Sequence, residues 1–420
     1  MGESNHNGGF VVSLRITDQI GAHPKGPLRT IVFNGYFNFS NSIADGYWQR
    51  HTFLRSWWRI YANDQRWVPP HFPTLYRYLV RDPGPHLARM RPALIRMEAL
   101  PDTRRRSNDG LPRATGALWE TTVGAAVLLM DPRRQDRTAY LGLLRCVNDT
   151  EALKRFLFLA LETAAKSGYQ RLVGPTGLSA HLDSGVLENY FHVPPPLHTP
   201  YNPPYVPEVM RGALHPMRTR ALFHVSTEVV EINEDRTVAT GIRVVPMANA
   251  GWRSILVPLL CAVYDEGGRT ARPTGATLDL PAPDVAEAEF LLDWISAWPL
   301  RVWTAILDEE PVGFIMLQPD LSRPVAWAGG GRNHLRRAWL AWRSSRPAKS
   351  GRLLFFGVVP EHRTKGIGDA LWHRALVEAR SAGWESITVG PLPLSHPLAA
   401  FIRSRGGEVR QTYRLYTTDL

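Results

Sequence analysis

The residues best suited to chemistry lie late in the chain, in Val358-Val-Pro-Glu-His-Arg-Thr-Lys-Gly-Ile-Gly-Asp-Ala-Leu371. An apolar strand ends at Pro360, a short basic turn follows, and a helix begins at the glycine pair. Gly366 and Gly368 let the backbone come close to a ligand, while Arg363 and Lys365 add positive charge. The start of the helix presents unpaired N–H groups and the positive end of its dipole, which together suit a pyrophosphate. Ile367, Ala370, Leu371, Ala375 and Leu376 then give the helix a buried face. Taken alone, the same turn also serves as a packed strand-to-helix connection.

Groups that could move a proton are sparser. The strand Arg352–Val359 carries no carboxylate to act as a base. The candidates nearby are Ser395, His396, Tyr413 and Tyr416, of which His396 and Tyr413 are the catalytic candidates. An imidazole titrates near neutrality, which favours His396; its alternative role is to cap the helix that starts at Pro397. Two cysteines, Cys146 and Cys261, form neither a CxxC motif nor a Cys/His cluster, so no metal site or disulfide framework is expected.

The elements that must hold these residues follow from periodicity and turn chemistry. Strands are expected at Val302–Leu307 and Val312–Leu317, joined by the turn Asp308-Glu-Glu-Pro311. A basic, Trp-rich connection (Arg332–Lys349) leads to strand Arg352–Val359, helix Gly366–Ser381, strand Ser386–Val389, helix Pro397–Ser404 and strand Glu408–Thr417. Upstream lie strand Gly241–Pro246 and helix Pro283–Ala297.

The first half opens with strand Phe10–Ile16 and a helix running from near Ala44 through Trp57–Tyr61, then a loop at Trp67–Pro73. Strands Ala93–Ala99 and Thr121–Met130 flank an Arg-rich hairpin loop, Pro101–Arg113. Strand Ala139–Val147 leads to Asp149, the N-cap of helix Glu151–Ser167, which Gly168 closes before strand Gln170–Val173. The proline-dense stretch to Pro207 reads as an ordered loop, because it carries so many aromatics. Polar residues cluster at Glu231–Thr240, which sets a boundary between domains 1–232 and 233–420. Both halves repeat one order of elements, as a duplication would.

Arg363-Thr-Lys-Gly-Ile-Gly368 resembles the Arg/Gln-x-x-Gly-x-Gly/Ala signature of the GNAT acetyltransferases, and Val302–Thr417 follows that family's element order. The resemblance implies an acyl-CoA co-substrate, acetyl-CoA foremost, and no metal. It implies pantetheine pairing with the backbone of Gly357, Val358 and Val359, on a strand that splays from its neighbour. The N–H groups of Arg363, Thr364, Lys365, Gly366, Ile367 and Gly368 would hold the pyrophosphate. A backbone N–H near the end of the splayed strand would stabilise the oxyanion as an amine or hydroxyl attacks the thioester. The tyrosine that many GNATs use to protonate the leaving thiolate corresponds here to Ile402.

A wider likeness covers roughly residues 40–420. Trp67-Val-Pro-Pro70, Gly174-Pro175, Tyr201-Asn-Pro-Pro-Tyr205, Pro319-Asp-Leu321, Phe356-Gly-Val-Val-Pro360 and Tyr413-Arg-Leu-Tyr416 resemble an uncharacterised bacterial family of tandem GNAT-like proteins. The implied fold is α/β: two tandem GNAT-like domains, each a mixed, mostly antiparallel sheet flanked by helices, the first domain degenerate. In keeping with that, Arg145-Cys-Val-Asn-Asp-Thr150 lacks the glycine pair and the basic turn. One departure is Gly390-Pro-Leu-Pro-Leu-Ser395, which has no acid where the family carries an acidic stretch and an asparagine.

The function expected is transfer of an acyl group from acyl-CoA to an amine of a small-molecule or peptide acceptor. The acceptor would lie in a groove between the domains, with Tyr201, Asn202 and Tyr205 as candidate lining. The chain of 420 residues has 49 Lys plus Arg against 38 Asp plus Glu, a net charge of +11 that favours anionic partners. That charge keeps two alternatives open. One is a tandem aminoacyl or peptidyl transferase with a tRNA-borne donor. The other is a non-catalytic CoA- or nucleic-acid-binding protein, suggested by Arg336-Arg-Ala-Trp-Leu-Ala-Trp-Arg343, which also reads as an amphipathic helix. The N-terminus is polar and no apolar run approaches the ~20 residues that cross a bilayer, so a cytoplasmic protein without membrane contact is expected.

Overall fold

The structure, a computed structural model, describes residues 12–14, 35–43, 46–61, 64–101, 122–132, 135–228, 241–247, 251–264 and 282–420. The expected hairpin loop after Pro101 and the expected boundary at 231–240 lie outside the described residues.

The first half runs β1 (Val12–Leu14), β2 (Gly35–Ile43), α1 (Tyr47–Ile60), α2 (Phe72–Tyr76), α3 (Gly84–Arg89), β3 (Ala93–Pro101), β4 (Thr122–Met130) and β5 (Thr138–Cys146). It continues with α4 (Thr150–Lys166), β6 (Arg171–Thr176), β7 (Val186–Leu187), α5 (Tyr205–Ala213) and β8 (His215–Ser226). Almost every residue of β4 is buried, because helices cover both faces of the sheet. Ala125, Val127 and Leu129 point into the cluster that holds Trp57 of α1. Ala126 and Leu128 point the other way, against Phe156 of α4. On α4 the Asp149 carboxylate accepts the Ala152 N–H at 2.7 Å, and Leu153, Phe156, Leu157, Ala160 and Ala164 are buried as their spacing requires.

The second half runs β9 (Arg243–Pro246), α6 (Trp252–Tyr264), α7 (Val285–Ile295), β10 (Arg301–Leu307), β11 (Glu310–Pro319), α8 (Ser322–Trp327) and α9 (His334–Ser344). Then come β12 (Ser350–Val358), α10 (Ile367–Ser381), β13 (Ser386–Pro393), α11 (Pro397–Arg403) and β14 (Glu408–Asp419). Asp308 and Glu309 both have positive φ, 51° and 64°, the geometry of a tight hairpin turn. The basic connection of the sequence reading contains α9, whose one fully buried residue is Leu340. Helix α5 and strand β8 had no counterpart in the sequence reading. The first five residues of β8, His215 to Thr219, are all exposed or half-exposed, so the strand has no buried face until Arg220.

All the described strands join one fourteen-stranded sheet, with spatial order β1-β2-β3-β4-β5-β6-β14-β8-β13-β12-β11-β10-β9 and β7 attached to β14. Two pairs in it are parallel, β5–β6 and β12–β13, and each is bridged by a helix, α4 or α10. Those two strand–helix–strand units occupy matching places in the two halves. The halves also exchange strands. The last strand, β14, pairs with β6 of the first half, while β8 pairs with β13 of the second. The two exchanged strands then pair with each other, from Glu408–His224 to Thr417–His215.

The core is shared as well. A single hydrophobic cluster contains Trp57 of α1, Leu260 of α6, Phe290 of α7 and Phe314 of β11. On β11, Phe314 and Met316 face that cluster, whereas Ile315 and Leu317 face α10 on the opposite side of the sheet. Among the described residues no helix is long and apolar enough to cross a membrane.

Candidate active site

Strand β12 pairs with β13 only from Ser350–Ser386 to Leu353–Val389. Beyond Leu353 it continues on β11 alone as far as Val358, and the β11–β12 register slips at this point, leaving Leu354 as the extra residue of a bulge. The two strands therefore open into a V. A cavity of about 510 Å3 fills it, walled by Leu354–Val358 on one side and Gly390–Pro393 on the other. Arg363, Thr364, Gly366 and Gly368 lie at one end of this cavity, and Asp183, His198 and Arg352 also line it.

The start of α10 lies at that end of the cavity, and its N–H groups would suit an anion. Gly366 is its N-cap with φ +77°, a left-handed conformation that suits glycine. The first helical hydrogen bond runs from Ala370 N–H to Gly366 C=O at 3.1 Å, so the N–H groups of Ile367, Gly368 and Asp369 precede it. The Arg363 guanidinium donates to the Val358 carbonyl at 3.1 Å and to the Val263 carbonyl at 2.8 Å, tying the turn to β12 and α6. Lys365 Nζ lies 3.0 Å from His362 Nδ1. At Gly357 an added Cβ would stand 2.0 Å from Val263 Cγ1, so glycine allows α6 to approach the strand.

Of the residues expected along the pantetheine, Gly357 and Val358 line the cavity, whereas the Val359 N–H is taken by the Val312 carbonyl at 3.0 Å. Ile367 contributes only backbone, since its side chain is buried in the α10 core. His396 lies on the cavity wall as the N-cap of α11, its Nδ1 accepting the Leu398 N–H at 3.1 Å. Tyr413 is fully buried against Leu187 and Leu222, its hydroxyl donating to Gln411 Oε1 at 3.2 Å, and it is not among the lining residues. Ile402 is buried, and Phe401 lies beside Phe356 on the cavity wall with ring centroids 5.6 Å apart.

The first half contributes residues that the sequence reading did not single out. The loop after β6 brings His181, Leu182, Asp183 and Ser184 to the cavity. Gly177 N–H to Leu182 C=O and Gly185 N–H to Pro175 C=O, both 2.9 Å, close this loop. The Ser179 hydroxyl anchors it to the second half by donating to Glu287 of α7 at 2.7 Å. Asp183 adopts φ +48°, a left-handed conformation that aspartate tolerates better than most residues. Burial pushes its carboxyl up to about 6, against the pull of the Arg352 and Arg145 guanidiniums.

Arg352 is itself buried. It donates to the His198 carbonyl at 3.0 Å and to the Gly390 carbonyl at 2.6 Å, pinning both the loop and the end of β13. Burial and Arg352 push the His198 imidazole down to about 3, so it is neutral. Tyr201, Asn202 and Tyr205 lie elsewhere. The Tyr201 hydroxyl donates to Asp64, Asn202 bridges the backbone of Leu187, and the Tyr205 hydroxyl donates to the Cys146 carbonyl. No sequence signal marks Asp183 or His198, because what sets them apart is a neighbour from the other half.

The matching place in the first half is closed. The Trp57 indole donates to the Leu143 carbonyl at 2.6 Å, and the Arg145 guanidinium stacks on Trp57 and Tyr61 at 4.6 and 5.1 Å. What remains there is a cavity of about 60 Å3, well below the few hundred Å3 typical of ligand sites. Among the described residues no group of three or more His, Cys, Asp or Glu is placed to hold a metal ion.

Residues 274–406 match the model of the Acetyltransferase (GNAT) family. No curated protein matches the chain. Among solved structures, a tandem GNAT protein from the clavulanic acid biosynthesis pathway is similar in fold, with TM-score 0.53 and 14% identity over 91% of this chain and 98% of that one. The GCN5-related glucosamine N-acetyltransferase region of a fungal multi-domain GH3 β-N-acetylglucosaminidase gives TM-score 0.53 at 12% identity. That match covers 93% of this chain but only 39% of the fungal protein. Residues 274–406 thus match the GNAT family, and the chain as a whole has the fold of a tandem GNAT protein.

Proposed function

We propose that the protein is an N-acyltransferase that holds acyl-CoA, acetyl-CoA foremost, in the β12–β13 cleft and acylates an amine presented from the first half's side. The observation that carries this reading is a single cavity lined both by the Gly366–Gly368 turn and by Asp183. The free N–H groups at the start of α10 suit a pyrophosphate, and the unpaired edge of β12 suits a pantetheine amide. An added Cβ at Gly368 would make only ordinary contacts, 3.6 Å to Phe356 and 3.8 Å to Phe401, so this end of the cleft has room for a ligand.

An ammonium has no lone pair to attack a thioester, so a nearby group must take its proton. Two carboxylates line the cavity; Asp369 is ion-paired with Arg405, whereas the Asp183 carboxyl, raised to about 6, is ionised at neutral pH yet basic enough to accept a proton. It reaches from the first half into the cavity beside Gly390–Pro393, the stretch that carries no acid of its own. The backbone of the splayed strand beyond Leu353 is available to stabilise the oxyanion. A small-molecule or peptide amine is the acceptor class, and CoA chemistry together with two unpaired cysteines is in keeping with a cytoplasmic setting.

Calorimetric titration of acetyl-CoA tests the reading. Wild type is expected to bind and Gly368→Trp, which fills the space between Phe356 and Phe401, is expected not to. Folded wild type that does not bind would remove the CoA reading.

A further inference from the structure

We propose that a second, basic groove, formed by α1 and α2 of the first half with the start of α9 of the second, binds single-stranded nucleic acid. The groove has a volume of about 770 Å3 and shares no lining residue with the acyl-CoA cleft. Arg55, Arg77, Arg81, Arg332, Arg336 and Arg337 line it, and no carboxylate does. Arg77 is ion-paired with Asp293, outside the groove.

The placement of these charges works against the fold. Arg336 and Arg337 sit in the first turns of α9, whose N-cap is Asn333 and whose first turn has no acidic residue. Cations there meet the positive end of the helix dipole, where an anion would be favoured. Burial and then Arg336 push the Arg332 guanidinium down, as expected when like charges are crowded. A polyanion laid along the groove relieves both conflicts.

Aromatic rings favour a nucleic acid over a small phosphate. Phe72 and Tyr76 line the groove, their rings stacked at 5.8 Å and 28°, and Arg81 lies over Tyr76 at 5.4 Å. On the same helix face as the lining residue His51, Trp48 is 76% exposed, its ring 6.3 Å from the imidazole. Guanidiniums that pair with phosphates, beside rings on which bases stack, are the components of single-strand binding.

The test is fluorescence anisotropy with a 5′-labelled oligouridylate of about 15 nucleotides, titrated at several salt concentrations. Four or so phosphate contacts give a slope of log K against log salt of about −3. Arg332→Glu/Arg336→Glu is expected to weaken binding at least about tenfold and to flatten that slope. Trp48→Ala is expected to weaken it on the order of fivefold or more, through lost stacking. Each variant should titrate acetyl-CoA as wild type does, which checks the fold. Absence of salt-dependent binding, or equal binding by the variants, would overturn the proposal. So would displacement of the oligonucleotide by acetyl-CoA, which would put it in the cleft, or equal affinity for tripolyphosphate with no effect of Trp48→Ala.

Discussion

Asp183 combines two properties that pull apart: it lies on the wall of the β12–β13 cleft, where the proposed reaction calls for a base, and burial makes its ionised form costly. Its folded pKa, about 6, exceeds the unfolded value of 3.8. Between those values the folded state binds more protons than the unfolded one, so stability falls as pH rises from about 4 to about 6. Asp183→Asn should therefore melt higher than wild type at pH 7, by up to about 2 kcal/mol of stability, with the gain fading by pH 4. The same variant should lose about 10²- to 10⁴-fold in kcat, along with the rise of activity through pH 6, while acetyl-CoA affinity stays constant. Thermal melts and thiol-release kinetics across pH check both. Unchanged kcat would leave Asp183 a buried carboxylate and nothing more.

At the scale of elements, the turn into α10 and the cap of α4 show how much local sequence can reveal. Asp149, the buried face of α4 and the Gly366–Gly368 turn were all legible, because capping and 3.6-residue periodicity depend on neighbours in the chain. Helix α9 was less so, since its arginines and exposed Leu335 and Trp342 leave only Leu340 fully buried. Strand β8 was missed because its first residues are solvent-facing. The turn itself is testable. Gly366 has open space around its Cβ position but φ +77°, so Gly366→Ala meets backbone strain and no clash. We expect a loss of about 1 kcal/mol in stability, from denaturant melts, and weaker acetyl-CoA binding, by calorimetry. Wild-type binding by this variant would separate the ligand from the α10 N-terminus.

Across the whole molecule, strand exchange makes the halves interdependent. Without β14 the strand β6 has an open edge, and without β8 so does β13. The shared cluster would also be cut, exposing Trp57 on one side and Phe290 on the other. Fragments 1–232 and 233–420 made separately are expected to be insoluble or loosely packed, whereas co-expression should return a soluble pair that binds acetyl-CoA. Size-exclusion chromatography and circular dichroism decide it; two fragments that each fold alone would show the exchange to be dispensable.

What the sequence by itself determined is what neighbours along the chain enforce: the strand–turn–helix at Val358–Leu371, the GNAT resemblance it carries, and the tandem order of elements. Tertiary structure alone decided which strand pairs with which, because an alternating pattern specifies a face but not a partner. It also decided the setting of Asp183. An aspartate in an ordinary loop acquires a raised pKa, against the pull of Arg352 from the other half of the chain, and a place beside the β12–β13 cleft only when the fold buries it there. Desolvation and charge act through space, and no local pattern of residues records them.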